Sequence, residues 1–441
     1  MRIAVIGAGW AGMAAAVELT RAGQSAIVFE ASRALGGRAR GLVGMLPDGS
    51  NVTLDNGQHI LIGAYTETLR LMQQVGVSRT TALLRLPLAL QFPDGAGLRF
   101  AQLPTPLDAL AGILAARGWG LHDKLGLIRA AIAWQIKRFQ CDASLTVAAL
   151  CTRLSPRVMH ELIEPLCVSA LNTPAERASA QVFLRVLQDA LFGVQGGSQL
   201  LLPRCDLSTL FPDAAARWLR QHRGEVRLGA RVERLLREDT RWLVDGEPFD
   251  AVILAVTSSQ AAHLLAATTR SASDAMAKQL HSWTQTANAL QFEAITTVYA
   301  WGPTASLRAP MLALRSDPAL APAQFAFDRG QLGGSAGLLA FVVSASTGDR
   351  EDLQAQVLQQ ARVQLGLQLQ AVQTVVEKRA TLACTPGLAR PSMQIAPGLL
   401  ACGDFVAGPY PSTLEGAVRS GLDAARALAT SARTQAMDKP C

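Results

Sequence analysis

The sequence predicts an α/β protein: a Rossmann-type dinucleotide-binding domain, discontinuous along the chain, carrying a second, α+β domain with an antiparallel sheet and a helical cap. Three observations predict it: a strand, glycine loop and helix at the start; short β-branched runs that return far downstream; and a long helical stretch between them. With 441 residues, two interleaved domains are expected rather than one simple core. Hydrophobic residues make up 49% and charged residues 17%, which excludes a disordered chain and leaves apolar surface to spare for an apolar substrate.

Taken in order, Ile3-Ala4-Val5-Ile6 reads as a buried parallel strand, residues 11–22 as an Ala-rich helix, and residues 26–30 as a second strand, which together make a βαβ unit. Between the first two lies Gly7-Ala8-Gly9-Trp10-Ala11-Gly12. This glycine spacing, after a strand and at the start of a helix, suits a dinucleotide: Gly7 for the turn, Gly9 for close approach to a pyrophosphate, Gly12 for helix packing. The anion would sit on the unpaired N–H groups of the helix N-terminus. Glu30 ends the second strand, where it can accept from an adenosine ribose. A second glycine pair, Gly36-Gly37, follows within Arg33–Arg40, with arginines expected to face phosphate.

Helical spacing of Leu and Ala dominates residues 104–193, an inserted cap. Runs at 226–237, 250–256 and 399–402 are expected as further strands of the nucleotide-binding sheet, and those at 289–301, 338–344 and 372–379 as the antiparallel sheet. The predicted division is 1–88, 196–256 and 395–434 for the dinucleotide-binding domain, 89–195 for the cap, 257–394 for the antiparallel-sheet part and 435–441 for a flexible tail. Ser412-Thr413-Leu414-Glu415 has the form of a capping box that starts a helix running to about residue 429.

A formal charge of +7, carried by scattered arginines, would attract anionic ligands or lipid headgroups but lacks the basic stripe and aromatics of a nucleic-acid binder. The seven cysteines form neither a metal-ligand cluster nor a disulfide pattern, which points to a reducing compartment and no metal. Glycines and Glu18 interrupt residues 2–20 as a signal peptide, and no apolar run suits a spanning helix, so a cytoplasmic protein is expected, with peripheral contact to the inner membrane face left open. Residues 125–139 combine Leu, Ile and Trp134 with Arg129, Lys137 and Arg138, which reads equally as a helix resting on a membrane and as an ordinary cap helix.

The block Arg33–Arg40, with Asp55-Asn56-Gly57-Gln58-His59 and Gly403-Asp404, resembles the flavin amine oxidase and phytoene desaturase superfamily. The resemblance implies FAD as cofactor, contacted by Glu30, Arg38, Val232 and Asp404, and a C-terminal helix whose N-terminus, at Thr413 and Leu414, points at the flavin. Residues 55–65, 165–173 (Pro-Leu-Cys-Val-Ser-Ala-Leu-Asn-Thr) and 408–417 are most similar to the squalene-associated branch, the hydroxysqualene dehydroxylases of bacterial hopanoid synthesis. That branch implies a long isoprenoid alcohol as substrate. Its hydroxyl is protonated and leaves, and reduced flavin delivers hydride to the allylic cation. A carotenoid-type desaturase, then an amine oxidase, and outside catalysis a prenyl-binding escort protein of the same fold, are the alternatives.

If the family fold holds, His59 and Tyr410 lie near the flavin ring; each reads either as catalytic or as structural, His59 donating to a carbonyl and Tyr410 packing. Glu161 and Glu164, beside His160, are candidate proton donors or solvated helix positions. No second glycine fingerprint for a nicotinamide follows the first, so the electron donor is open, and so is the oligomeric state.

Overall fold

The computed structural model describes residues 1–270 and 272–437. Its centre is a six-stranded sheet in the order 225–228, 25–30, 2–6, 251–254, 399–401, 394–396. The first five are parallel, with Ile3 opposite both Ala251 and Ala26, and only Gln394–Ala396 runs antiparallel. Strands buried on both faces need unbroken apolar runs, which Ile3–Ile6 and Ala251–Leu254 supply. Chain order jumps between the strand Arg2–Ile6 and the strand Ala251–Leu254, the place where such sheets open a crevice beyond their carboxyl ends.

One face of this sheet is covered by the helix Trp10–Arg21 and the C-terminal helix Leu414–Met437. Small residues let the two meet closely: a Cβ on Gly421 would stand 2.1 Å from the Ala11 carbonyl oxygen. The other face carries a three-stranded antiparallel sheet (235–238, 241–244, 247–249) and the helices Ser258–Thr269 and Asp274–Asn288. Two expectations change here. The run at 226–237 is not one strand, because Gly229 turns the chain (φ +67°) and Leu235–Glu238 joins the small sheet. The boundary at residue 256 also moves, since Leu264, Leu265, Leu280 and Trp283 bury themselves against the nucleotide sheet and not against the second domain.

The second domain is a five-stranded antiparallel sheet in the order 311–313, 325–328, 338–344, 292–301, 370–382. Strand alternation divides its central strand: Leu338, Ala340 and Val342 face the cap, and Leu339, Phe341 and Val343 face the helix Arg350–Leu365. The cap spans most of 107–193 and is helical, but the segment assigned to it begins with a hairpin, Ala89–Gln91 against Gly97–Arg99. The C-terminal helix passes residue 429 and runs to Met437, so the tail expected from 435 begins inside it; residues 438–441 lie outside the described residues. The six cysteines among the described residues are free, no metal-binding group of His, Cys, Asp and Glu occurs among them, and no described helix is long and apolar enough to cross a membrane.

Candidate active site: a main-chain cradle opening into an apolar chamber

A cavity of about 570 Å³ lies at the crevice and reaches across to the antiparallel sheet and the cap. Gly7, Gly9, Glu30, Gly36, Gly37, Arg38, Val232, Gly403, Asp404, Thr413 and Leu414 all line it, from both ends of the chain. Gly12 lies just behind this lining.

The three fingerprint glycines have three different surroundings. Gly7 has φ +109°, and a Cβ there would be 2.5 Å from the Ala255 carbonyl oxygen; a Cβ on Gly12 would be 2.0 Å from the Gly7 carbonyl oxygen. A Cβ on Gly9 would meet nothing within 4 Å, because Gly9 faces the cavity. Gly9 is also the N-cap of its helix, with no side chain capping it and no acid in the first turn, so the first N–H groups are free to hold an anion. Beside this loop, Gly36 donates to the Ala8 carbonyl at 3.0 Å and Gly37 adopts φ +62° against Gly9. Glu30 is fixed by two backbone donors, Ala8 N and Ser32 N, each at 2.8 Å to a different oxygen, which leaves outward lone pairs for a ribose diol.

Arg38 pairs with Asp404, which raises the guanidinium's pKa, and donates to the Ala380 carbonyl at 2.8 Å. The pair ties the second glycine loop to the C-terminal block. Of the arginines expected to face phosphate, Arg38 is thus held by protein partners, and Arg40 reaches Ser32 at 3.5 Å. Asn56 grips the backbone between them, donating to the Arg38 carbonyl and accepting from Arg40 N.

The capping box is corrected by the geometry. Thr413 alone caps the C-terminal helix, its Oγ1 accepting from Gly416 N at 2.9 Å. Glu415, 1% exposed, turns away and accepts from Glu67 N, Thr68 N and Thr68 Oγ1, so it caps the helix Thr66–Gln74, and from Arg419 Nε at 2.7 Å. A glutamate three positions after a serine satisfies the spacing rule, but Ser412 adopts φ +57° and accepts from Leu382 N instead.

His59 lines the cavity with Nδ1 2.8 Å from the Gly57 carbonyl. A carbonyl only accepts, so Nδ1 carries the proton and Nε2 is left as an acceptor. Burial lowers its pKa; the Gly57 bond works against that and the Arg38 charge adds to it. The ring is therefore neutral near pH 7. Tyr410 does not line the cavity: Arg419 lies 5.2 Å over its ring, and burial, with Asp189 of the cap beside it, raises its pKa. Glu161 is likewise elsewhere, held by Trp119 Nε1 at 2.8 Å and Arg315 at 3.1 Å, and Glu164 pairs with His160 on the surface. Glu161 is neither a solvated position nor a cavity acid.

Tyr65 is the site residue that sequence reasoning missed. It lines the cavity, and burial, with the Glu415 charge near it, pushes its phenol above the ordinary range, so it stays protonated. It lies inside the 55–65 block, but nothing in its spacing marks a role. Beneath the same block, buried Asp55 accepts from Leu207 N at 2.8 Å and stands 3.7 Å from buried Arg329, which also donates to Gln58. Beyond the polar loops the walls become apolar: Ile60, Val168, Ala170, Ile295, Phe325, Phe327 and Val342, interrupted by Ser169, Asn172, Ser344 and Thr381.

Comparison with known proteins agrees with this architecture. The chain is 26% identical to a hydroxysqualene dehydroxylase of Sinorhizobium fredii and to one of Rhodopseudomonas palustris, each match covering 96% of both chains. A zeta-carotene desaturase of Synechocystis is 40% identical, but over 19% of this chain and 16% of its own. Among solved structures, an oxidoreductase from Methanosarcina mazei superposes with TM-score 0.70 at 16% identity, covering 96% of this chain and 99% of that one. Cyclohexylamine oxidase from Brevibacterium oxydans superposes with TM-score 0.65 at 16% identity, covering 98% and 99%. The model of flavin containing amine oxidoreductases matches residues 10–429, and with that match the chain belongs to this family as an FAD-dependent oxidoreductase.

Proposed function

We propose that this enzyme removes the hydroxyl of a long isoprenoid allylic alcohol, hydroxysqualene or a near relative, and replaces it with hydrogen to give squalene. One proton and one hydride enter and water leaves. FAD, in its reduced form, supplies the hydride. The proposed cofactor contacts are those of the cradle: Gly7, Gly9, Gly36 and Gly37 by main chain, Glu30 at the ribose end, Val232 in the same lining, Asp404 held by Arg38, and the helix N-terminus at Thr413 and Leu414.

The observation that carries the reading is the joining of this cradle to an apolar chamber, in a chain that matches hydroxysqualene dehydroxylases over 96% of its length. Walls such as Ile295, Phe325 and Val342 take hydrocarbon from water at about 0.8 kcal/mol per methylene, the dominant binding term for a C30 chain. Tyr65, kept protonated, can donate a hydrogen bond, but not readily its proton, to the departing oxygen, while neutral His59 offers only an acceptor and serves to shape the loop. The amine oxidase reading is weaker: Phe325 and Phe327 stand two apart on one strand, so they share one wall and do not face each other across a cation. The match to the carotenoid desaturase supports the second reading, oxidation of a polyene, over a much shorter stretch.

Anaerobic incubation separates them. Dithionite-reduced enzyme mixed with hydroxysqualene should yield squalene, with the oxidised-flavin absorbance returning in proportion. If hydroxysqualene survives and oxidised enzyme instead dehydrogenates phytoene, the proposal fails and the desaturase reading replaces it.

A further inference from the structure

Of the fifteen large apolar side chains exposed among the described residues, ten lie between Leu103 and Val194, so the cap has a concentrated greasy surface that the rest of the molecule lacks. On the helix Leu121–Ile136 they follow a strict helical stripe: Leu121 (79% exposed), Leu125, half-exposed Ile128, Ile132 and Ile136 (77%). The opposite side of that helix buries Leu127 and Trp134 in the cap core. A core stripe should be buried; here one stripe is buried and a second is left in water.

The preceding helix, Leu107–Ala115, repeats the pattern with Leu107, Leu110 and Leu114, and Leu103 before it. The two helices are neighbours, joined where Lys124 Nζ donates to the Leu114 carbonyl at 2.7 Å. Phe192 extends the surface at the far end, 5.3 Å from Phe139.

Charge decides the partner. Residues 103–140 hold five cations, Arg117, Lys124, Arg129, Lys137 and Arg138, against two carboxylates, of which Asp108 is buried and Asp123 is tied to Gly120 N at 2.9 Å. Protein interfaces favour Tyr, Trp, Met and Arg and are poor in Lys, whereas residues 103–140 hold no Tyr or Met and the stripe is Leu and Ile with Lys124 and Lys137 among its flanking cations. From the stripes and this charge together we infer that the cap face formed by Leu107–Ala115 and Leu121–Ile136 docks on an anionic lipid bilayer, the aliphatic stripe in the acyl boundary and the cations among the lipid phosphates. A helix of this kind lies in the interface plane with its apolar face roughly 5–10 Å deep. The inference gives a partner to the isoprenoid reading, on which its usefulness rests; the docking itself can be tested without any turnover.

The test is sedimentation of full-length, FAD-loaded protein with vesicles of phosphatidylcholine alone or with about a third phosphatidylglycerol. Expected are pelleting with the anionic vesicles, severalfold less with the neutral ones, and loss of the difference at high salt. The variant Leu121→Ser, Leu125→Ser, Ile132→Ser, Ile136→Ser should lose at least tenfold in vesicle affinity while keeping its flavin spectrum, since none of the four is in the core. Arg129→Glu with Lys137→Glu should remove the preference for anionic lipid. The exposed pair Leu320→Ser, Val363→Ser, outside the cap, should change nothing. Wild-type protein that stays in the supernatant with every vesicle, or serine variants that pellet like wild type, overturn the inference. So does a wild-type dimer in light scattering that the serine variant abolishes without any vesicle binding, which would make a second copy the occupant. Turnover of hydroxysqualene in detergent, unaffected by these variants, is scored separately, so failure of the reaction and failure of docking are distinguishable.

Discussion

The two halves of the cavity are held by different means. On the nucleotide side the shape is main chain: Gly7 against Ala255, Gly12 against Gly7, Gly36 donating to Ala8, Gly37 against Gly9. On the other side the walls belong to remote elements, and buried charged groups lock these together: Glu415 with the helix Thr66–Gln74, Asp55 with Arg329. A main-chain surface suits a cofactor that every molecule of the family binds alike. A side-chain surface can be altered residue by residue to suit a substrate.

The largest expected effects test the main-chain half. Gly12→Ala puts a Cβ 2.0 Å from the Gly7 carbonyl oxygen in the middle of a packed helix–strand contact, so the chain should not accumulate as folded protein. Gly9→Val meets no protein atom close to its Cβ, so it should fold, with a thermal midpoint near that of wild-type apoprotein, yet bind FAD at least a hundredfold more weakly. Circular dichroism and flavin titration read the two separately. A yellow Gly9→Val protein would break the assignment of that loop to the pyrophosphate.

The same division explains what the sequence reveals. A main-chain site demands glycine at fixed spacing, so the residues of the 7–12 loop and of Gly36-Gly37 announce their purpose, and the flanking strand and helix follow from apolar periodicity. Side-chain locks carry no such mark. Glu415 meets Thr68 across 347 residues, whereas the capping-box rule places it on its own helix because the rule sees only neighbours. Tyr65 and Tyr410 both sit in family-like phrases, but of the two only Tyr65 lines the cavity, and which one faces inward depends on packing that neighbouring residues do not record. The misplaced boundary at 256 has a related cause, since helices 258–269 and 274–288 look the same whichever sheet they cover.

Glu415 gives the next largest effect. Glu415→Ala leaves Glu67 N, Thr68 N, Thr68 Oγ1 and Arg419 without their acceptor in a buried seam, which should cost about 3–5 kcal/mol. Glu415→Gln should recover little, because its amide N–H₂ would face donors. Glu247→Ala, which removes the half-exposed partner of Arg2 and Arg227, should cost less than about 1 kcal/mol. Denaturant midpoints of the three variants test the contrast; a Glu415→Ala midpoint within error of Glu247→Ala would show that the seam is not held by this carboxylate.

Asp55 offers a smaller effect than Glu415 and the most direct test of how a buried lock behaves. Burial raises its pKa to about 6; the bond from Leu207 N and the Arg329 charge lower it, but Arg329 stands 3.7 Å away, too long to offset full desolvation. Between about pH 4 and pH 6 the folded protein therefore keeps a proton that the unfolded chain releases. Stability from this group is full below pH 4 and falls as pH rises through 6, by on the order of 2–3 kcal/mol. Asp55→Asn imitates the protonated state at every pH, still accepting from Leu207 N, and other titrating groups are common to both proteins. The variant should match wild type near pH 4 and exceed it in unfolding midpoint by pH 7. A wild type that instead gains on the variant as pH rises would mean that Arg329 holds Asp55 ionised, and that ion pairing, rather than burial, governs the locks on the substrate side.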